Sequence, residues 1–489
     1  MPVPFFVSAG METHCFAQDA CSSENHTARF NVQSSNDSSM LIWLFNQLSS
    51  LGVHVPFQAW EKITFRASLA AMVSFVLAVI LGPRLIVWLK RRFREPNTSD
   101  SPELRRLHEE KSFTPTMGGL FIVAGLVVGV LMFGRLDNAY MQAALVVSVG
   151  LALLGVLDDL VKLRGSSNGI SARSKLLGQV LVAGMAAVLL YFQQSTIDDG
   201  LMLRLPLIGG QLSLGLWFIP LAILVIVGSS NAVNLSDGLD GLAGGCLIFA
   251  IAAMTVAAYA AGHAELAAYL NIPRIPGAGE TTVLAGAMIG GVMGFLWFNC
   301  HPAQVFMGDT GSLPLGGLLG LLAVVARQEL LLLVVGGVFV AEALSVIIQV
   351  GYYKWRRRRV FLCAPLHHHF QFKGWPENKI VVRFWIASAL CALLGMATLK
   401  LQSADPVEPT HITSKEESTH RVAQVLEPGP RSGKRPRVPR GLTGQRRHIV
   451  EQTAHGAPCA SHLDSRIEAT QAAIHGTVKP SITGSELER

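Results

Sequence analysis

Ten long apolar runs constrain this chain more than any other feature. They lie at about residues 64–89, 116–134, 140–157, 174–192, 214–230, 242–262, 281–298, 312–326, 330–352 and 380–399. A helix rises about 1.5 Å per residue, so roughly 20 apolar residues cover a hydrocarbon core about 30 Å thick. Inside lipid the backbone must satisfy its own polar groups, which leaves helices or closed barrels. Runs this long predict an all-α polytopic membrane protein with about ten transmembrane helices. Half of the residues are hydrophobic and 15% charged, which excludes an ordinary soluble domain. The run at 312–326 is short and glycine-rich, the weakest of the ten as a span.

Lysine and arginine orient the runs. The first connection carries Lys90, Arg91, Arg92, Arg94, Arg105, Arg106 and Lys111. The third carries Lys162, Arg164, Arg173 and Lys175, and the ninth Lys354, Arg356 to Arg359, Lys373 and Lys379. The opposite connections hold one each: Arg135, Arg204, Arg274 and Arg327. The positive-inside rule places the odd-numbered connections in the cytoplasm and both termini outside. The net charge of +7 therefore reflects cytoplasmic loops and not a nucleic-acid partner. The seven cysteines form no CxxC pair and imply neither a disulfide framework nor a zinc-thiolate site.

Every conspicuous polar motif falls in a cytoplasmic connection. Residues 231–242 carry Asn231, Asn234, Asp237 and Asp240 at every third position, with Gly238 and Gly241 between them. That spacing drifts by roughly 60° per step around a helix. It predicts a helix end opening into a polar loop that gathers amides and carboxylates. Asp158 and Asp159 sit at the inner end of the third run, costly there unless a cation, a proton or Lys162 neutralises them. A solvated helix end with an Asp–Lys pair is the plainer alternative. Asp309, flanked by Gly308 and Gly311, is a candidate magnesium ligand. Phe306 is either an interfacial aromatic or a base-stacking platform. His367, His368 and His369 can meet phosphate oxygens or a metal, or line a solvated loop. His108, Lys111 and Thr116 with its glycine pair add a cation and a hydroxyl, and Glu342 and Gln349 share a helix face. Together these groups predict metal-assisted phosphoryl transfer in a cytoplasmic-side active-site cleft, with one substrate from water and one from lipid. A secondary transporter with broken helices is the rival class, but its site would lie at the midplane.

Six motifs occur in order: TPTMGG at 114–119, LDD at 157–159, NAVNLSDGLDGLA at 231–243, PAQVFMGDTGSL at 302–313, EALSVIIQV at 342–350 and PLHHHF at 365–370. On these, residues 40–401 resemble the phospho-N-acetylmuramoyl-pentapeptide transferases of the polyprenyl-phosphate N-acetylhexosamine-1-phosphate transferase superfamily. The resemblance implies transfer from UDP-MurNAc-pentapeptide to undecaprenyl phosphate, giving lipid I and UMP, at a bacterial inner membrane and with Mg²⁺. It implies Asp158, Asp159, Asp309 and His367 as the catalytic set, with Asp309 on the metal. It implies Lys111, Thr116, Asn234, Asp237, Asp240, Asn299, Phe306, Gln349, His368 and His369 as the substrate pocket. A homodimer is compatible with it, and nucleic acid is not a partner. Ser236 and Pro314 depart mildly from the family pattern, and the first connection lacks its usual Gln-x-x-Arg. Residues 1–39 and 402–489 match nothing in the family and are expected to be a disordered extension and a disordered basic tail.

Overall fold

A computed structural model describes residues 61–92, 114–163, 169–205 and 210–401. The expectations for residues 1–39 and 402–489, for His108 and Lys111, and for most of the first connection fall outside these residues. The helices in chain order are α1 (Ile63–Arg92), α2 (Gly119–Phe133), α3 (Ala139–Leu163), α4 (Ala172–Gln194), α5 (Phe218–Ser236), α6 (Leu242–Gly262) and α7 (Ala264–Leu270). They continue with α8 (Thr281–Asn299), α9 (Asp309–Val325), α10 (Glu329–Val335), α11 (Gly337–Arg356), α12 (Leu366–Phe372) and α13 (Glu377–Leu401). Between α4 and α5 a small antiparallel hairpin pairs β1 (Met202–Leu205) with β2 (Gly210–Ser213).

The chain is an all-α polytopic membrane protein. Among the described residues seven helices are long and apolar enough to cross a bilayer, α10 and α11 form an eighth if taken together, and α2 and α9 are shorter apolar helices. These ten correspond to the ten apolar runs. Two details differ from the sequence expectation. The run at 330–352 is not one straight span, because α10 and α11 meet at 86° across Gly336. The run at 312–326, the weakest by composition, forms the centre of the protein, for every residue of α9 is buried. Its 17 residues span about 25 Å, short of a bilayer core, but protein rather than lipid surrounds it.

Glycine makes that enclosure possible. A Cβ on Gly316 would stand 2.6 Å from the Ser229 carbonyl oxygen and one on Gly320 2.8 Å from that of Val225, so the stripe lets α9 lie against the α5 backbone. Without a hydrophobic drive inside lipid, such close contact is a main source of helix association. The end opposite the polar motifs is locked by buried ion pairs. Arg66 is bidentate to Glu280 at 2.5 and 2.9 Å and also donates to the Phe133 carbonyl. Arg327 lies in the turn between α9 and α10 but its side chain is fully buried, and it binds Glu329 at 2.6 Å and the Met202 carbonyl at 2.7 Å.

Candidate active site

The odd-numbered connections converge at one end of the bundle. Backbone bonds from Phe306 to the Pro115 carbonyl (2.9 Å), and from Gly118 and Gly119 to the Phe306 and Met307 carbonyls, knit the loop before α2 to the loop before α9. Asp240 accepts from the Ala303 amide, and Glu377 accepts from the Asp240 amide, joining the α5–α6 loop to the α8–α9 loop and to α13.

At the centre stand Asp158, Asp159 and Asp309. The helix α3 continues past the predicted span to Leu163, so the aspartate pair lies within it and not beyond its end. A Cβ on Gly155, one turn earlier, would collide with the Asp309 backbone, so α3 can press against the start of α9 only at a glycine. Adjacent side chains on a helix diverge by about 100°. Asp158 accordingly turns to the α3–α4 loop, accepting from the Ile170 amide at 2.8 Å, with Lys162 Nζ 2.8 Å from its other oxygen. Asp159 turns to α9 instead. It accepts from the Thr310 amide (3.0 Å), the Thr310 hydroxyl (2.7 Å) and the Asp309 amide (3.2 Å). It thereby caps the N-terminus of a neighbouring helix, satisfying donors that a helix start leaves open.

Asp309 begins α9 after Gly308, whose φ of 69° and ψ of 178° lie in a region that essentially only glycine adopts. Asn234 Nδ2 donates to Asp309 Oδ1 at 2.6 Å and to Ser312 Oγ at 2.8 Å. Lys175, one turn into α4, pairs directly with the other Asp309 oxygen, and Lys162 lies 3.2 Å from it. One ligand oxygen from each of Asp158, Asp159 and Asp309 lies within 4.8 Å of the others. Three carboxylates against two ammonium groups leave one net negative charge. Hard oxygen donors at this spacing fit a divalent cation such as Mg²⁺, which takes carboxylates together with water and substrate phosphates.

The remaining sequence candidates divide. The helix α5 runs to Ser236, so Asn231 and Asn234 are helical and the loop proper is Asp237 to Gly241. Burial pushes the Asp237 carboxyl up to about 7, helped by the negative charges of Asp309, Asp159 and Asp240. Thr116 is buried with its hydroxyl beside Gly308, and Phe306 is half-buried. Asn299 accepts from the Gly241 amide and donates to the Val305 carbonyl, both at 2.9 Å, so its amide ties two loops together. Gln349 likewise accepts from the Val360 and Phe361 amides and donates to the Phe361 carbonyl, holding the segment before the histidines. Asp240 also meets His301 Nδ1 at 3.0 Å. His367 is buried against Glu342, His368 meets Gln371 at 2.7 Å, and His369 accepts from the Leu362 amide. Burial, then the charge of Lys373, keeps the His369 imidazole below its ordinary value.

Sequence reasoning missed Lys175, Thr310, Ser312 and His301 as members of this region. Lys175 was visible only as a loop charge; its place on the first turn of α4, capped by Ser171, is what aims it inward. The candidate set therefore gathers Asp158, Asp159, Asp309, Asn234 and Asp237 around one centre, with the histidines and Gln349 on its flank.

A family profile described as glycosyl transferase family 4 matches residues 141–327, which contain the three aspartates. A phospho-N-acetylmuramoyl-pentapeptide-transferase of Solidesulfovibrio magneticus is 47% identical over 367 residues, 74% of this chain and 99% of that protein. Those of Oleidesulfovibrio alaskensis and Thermodesulfovibrio yellowstonii are each 46% identical, over 73% of this chain and 100% of their own lengths. Identity at that level, over nearly the whole length of those relatives, shows that the chain belongs to the phospho-N-acetylmuramoyl-pentapeptide-transferase family.

Proposed function

We propose that this protein transfers phospho-MurNAc-pentapeptide from UDP-MurNAc-pentapeptide to undecaprenyl phosphate, releasing UMP and forming lipid I, at the cytoplasmic face of a bacterial inner membrane. The observation that carries this reading is the cluster of Asp158, Asp159 and Asp309 between Lys162 and Lys175. A transfer between two phosphate esters demands that anions approach one another, and such a cluster provides for it. Asp309 would hold Mg²⁺, which neutralises charge on the pyrophosphate when bound. Lys162 and Lys175 would then turn from the carboxylates to the phosphate oxygens. Asp158, the member of the pair not bound to α9, would take the proton from the lipid phosphate or steer its attack on the β-phosphorus. Thr116, Asn234, Asp237, Asp240, Asn299, Phe306, Gln349, His367, His368 and His369, with Lys111, would form and support the pocket for the nucleotide and sugar.

An apolar groove supports a lipid acceptor. A cavity of about 410 Å³ lies between α5, α9 and the bent α10–α11 pair, lined by Leu224, Ala232, Val233, Leu333, Phe339 and other apolar groups. Its wall reaches Val233, the residue before Asn234, which bonds Asp309. An isoprenoid chain seated there would bring its phosphate toward the aspartates. The cytoplasmic orientation rests on the lysine and arginine asymmetry. The test is incubation with UDP-MurNAc-pentapeptide, undecaprenyl phosphate and Mg²⁺, with detection of UMP and of the lipid product. Turnover of UDP-N-acetylglucosamine alone would overturn the assignment in favour of a related hexosamine-phosphate transferase.

A further inference from the structure

Glu342 and His367 are paired deep in the protein, and the reading above assigns Glu342 nothing. Their side chains are 0% and 1% exposed. A carboxylate inside a membrane-embedded bundle is costly and demands a partner or a task. Glu342 Oε1 accepts the backbone N–H of His367 at 3.2 Å, and Oε2 lies 3.3 Å from His367 Nδ1. Oε2 and both ring nitrogens nonetheless lack a hydrogen bond of good geometry, although all are buried. Buried polar atoms left open in this way call for an explanation. On the far side of the ring, Nε2 rests on Gly238, where any Cβ would collide with it. Gly238 belongs to the loop that carries Asp237 and Asp240. The imidazole thus bridges a carboxylate on α11 and the loop that walls the candidate site.

We propose that Glu342 is a positioning residue for His367, holding its ring by the backbone amide and by Nδ1 so that Nε2 lies against Gly238 and fixes the Asp237–Asp240 loop. This rests on the function proposed above. A carboxylate facing Nδ1 keeps a proton on that nitrogen and leaves Nε2 as the acceptor. An unprotonated Nε2 lets the ring lie on the Gly238 backbone, and the loop so fixed holds its carboxylates in place beside the substrate. The glycine at position 238 serves the same end, since a side chain there would push the ring off its seat.

Glu342→Gln tests the proposal. The amide oxygen can still accept the His367 backbone N–H, but an NH₂ group then faces Nδ1 and drives the proton to Nε2. Fixing the wrong tautomer in a histidine–carboxylate pair costs up to about 10⁴ in kcat elsewhere. Here kcat for UMP release should fall by about tenfold or more, with KM for UDP-MurNAc-pentapeptide within about twofold of wild type. Adding Glu342→Gln to His367→Gln should cost nothing further, because the two act as a unit. A purely structural carboxylate would lower the unfolding temperature and would give losses that add in the double variant. Should Glu342→Gln fail to insert, Glu342→Asp keeps the charge but withdraws it by one methylene, and should lose kcat with KM unchanged. Wild-type kcat in a well-inserted variant, or additive losses, overturns the proposal. A wild-type protein that releases no UMP overturns the functional reading itself, and the positioning role with it.

Discussion

Gly308→Ala tests the geometry of the site without replacing a charged residue. Gly308 combines φ 69° with ψ 178°, where a non-glycine residue is strained by about 1–3 kcal/mol. The added methyl would also stand 2.7 Å from Asp159 Oδ2 and 2.8 Å from Thr116 Oγ1. That is closer than carbon and oxygen tolerate, so Asp159 must withdraw from the start of α9. The same Oδ2 accepts from the Thr310 amide and hydroxyl. Hydrogen bonds to a charged group contribute about 1.5–3 kcal/mol each, and a part of one bond is lost first. Strain and lost capping together reach about 3 kcal/mol. If that falls on the transition state, turnover drops by about a hundredfold. Gly374→Ala separates the two causes. Gly374 also has positive φ, 79°, but a Cβ there meets nothing within 4 Å. It should lower stability modestly and leave kcat intact. The measurements are unfolding temperature in detergent and UMP release for both variants. Wild-type turnover by Gly308→Ala would refute the claim that Asp159 sets the position of Asp309.

Three further outcomes are expected. Asp309→Asn should insert normally yet lose turnover that added Mg²⁺ does not restore, since a neutral amide cannot replace the carboxylate on a hard cation; ordinary UMP release across a Mg²⁺ titration would remove Asp309 from the metal site. Phe306→Ala should raise the KM for the UDP substrate by about tenfold or more if the ring stacks on the base, worth roughly 1–3 kcal/mol, while an unchanged KM would take it out of the nucleotide pocket. Asp237, raised from 3.8 to about 7, binds more protons folded than unfolded between those values, so it erodes the ligand-free protein's stability as pH rises from about 4 to about 7. Asp237→Asn should flatten that slope in unfolding temperature against pH, and an unaltered slope would show that its carboxyl is not the group responsible.

Much of this protein was legible one residue at a time. Apolar length alone located the spans, because a bilayer core sets the number of residues a helix needs. Lysine and arginine bias gathered the odd-numbered connections, and the described loops among them do meet at one end. Asp158, Asp159 and Asp309 stood out as candidates because carboxylates beside apolar runs carry a cost that only a task or a partner offsets, and the three do meet in one cluster. What stayed hidden depends on distances between segments far apart in the chain. Composition made α9 the least secure span, yet its glycines allow complete enclosure, a property of its neighbours and not of its own hydropathy. Asp158 and Asp159 are chemically identical in sequence. One turns to Ile170 and Lys162 while the other caps α9, and only the helix rotation and the packing against α9 separate them. Lys175 lies 134 positions from Asp309 in sequence but is its direct partner. Glu342 lies 25 positions from His367 in sequence, yet its carboxylate accepts the His367 amide. Residue type and spacing determined the apolar spans and the carboxylates, amides and histidines that the connecting loops carry. Tertiary packing decided which aspartate faces the α3–α4 loop and which one caps α9, because that choice turns on hydrogen-bond geometry.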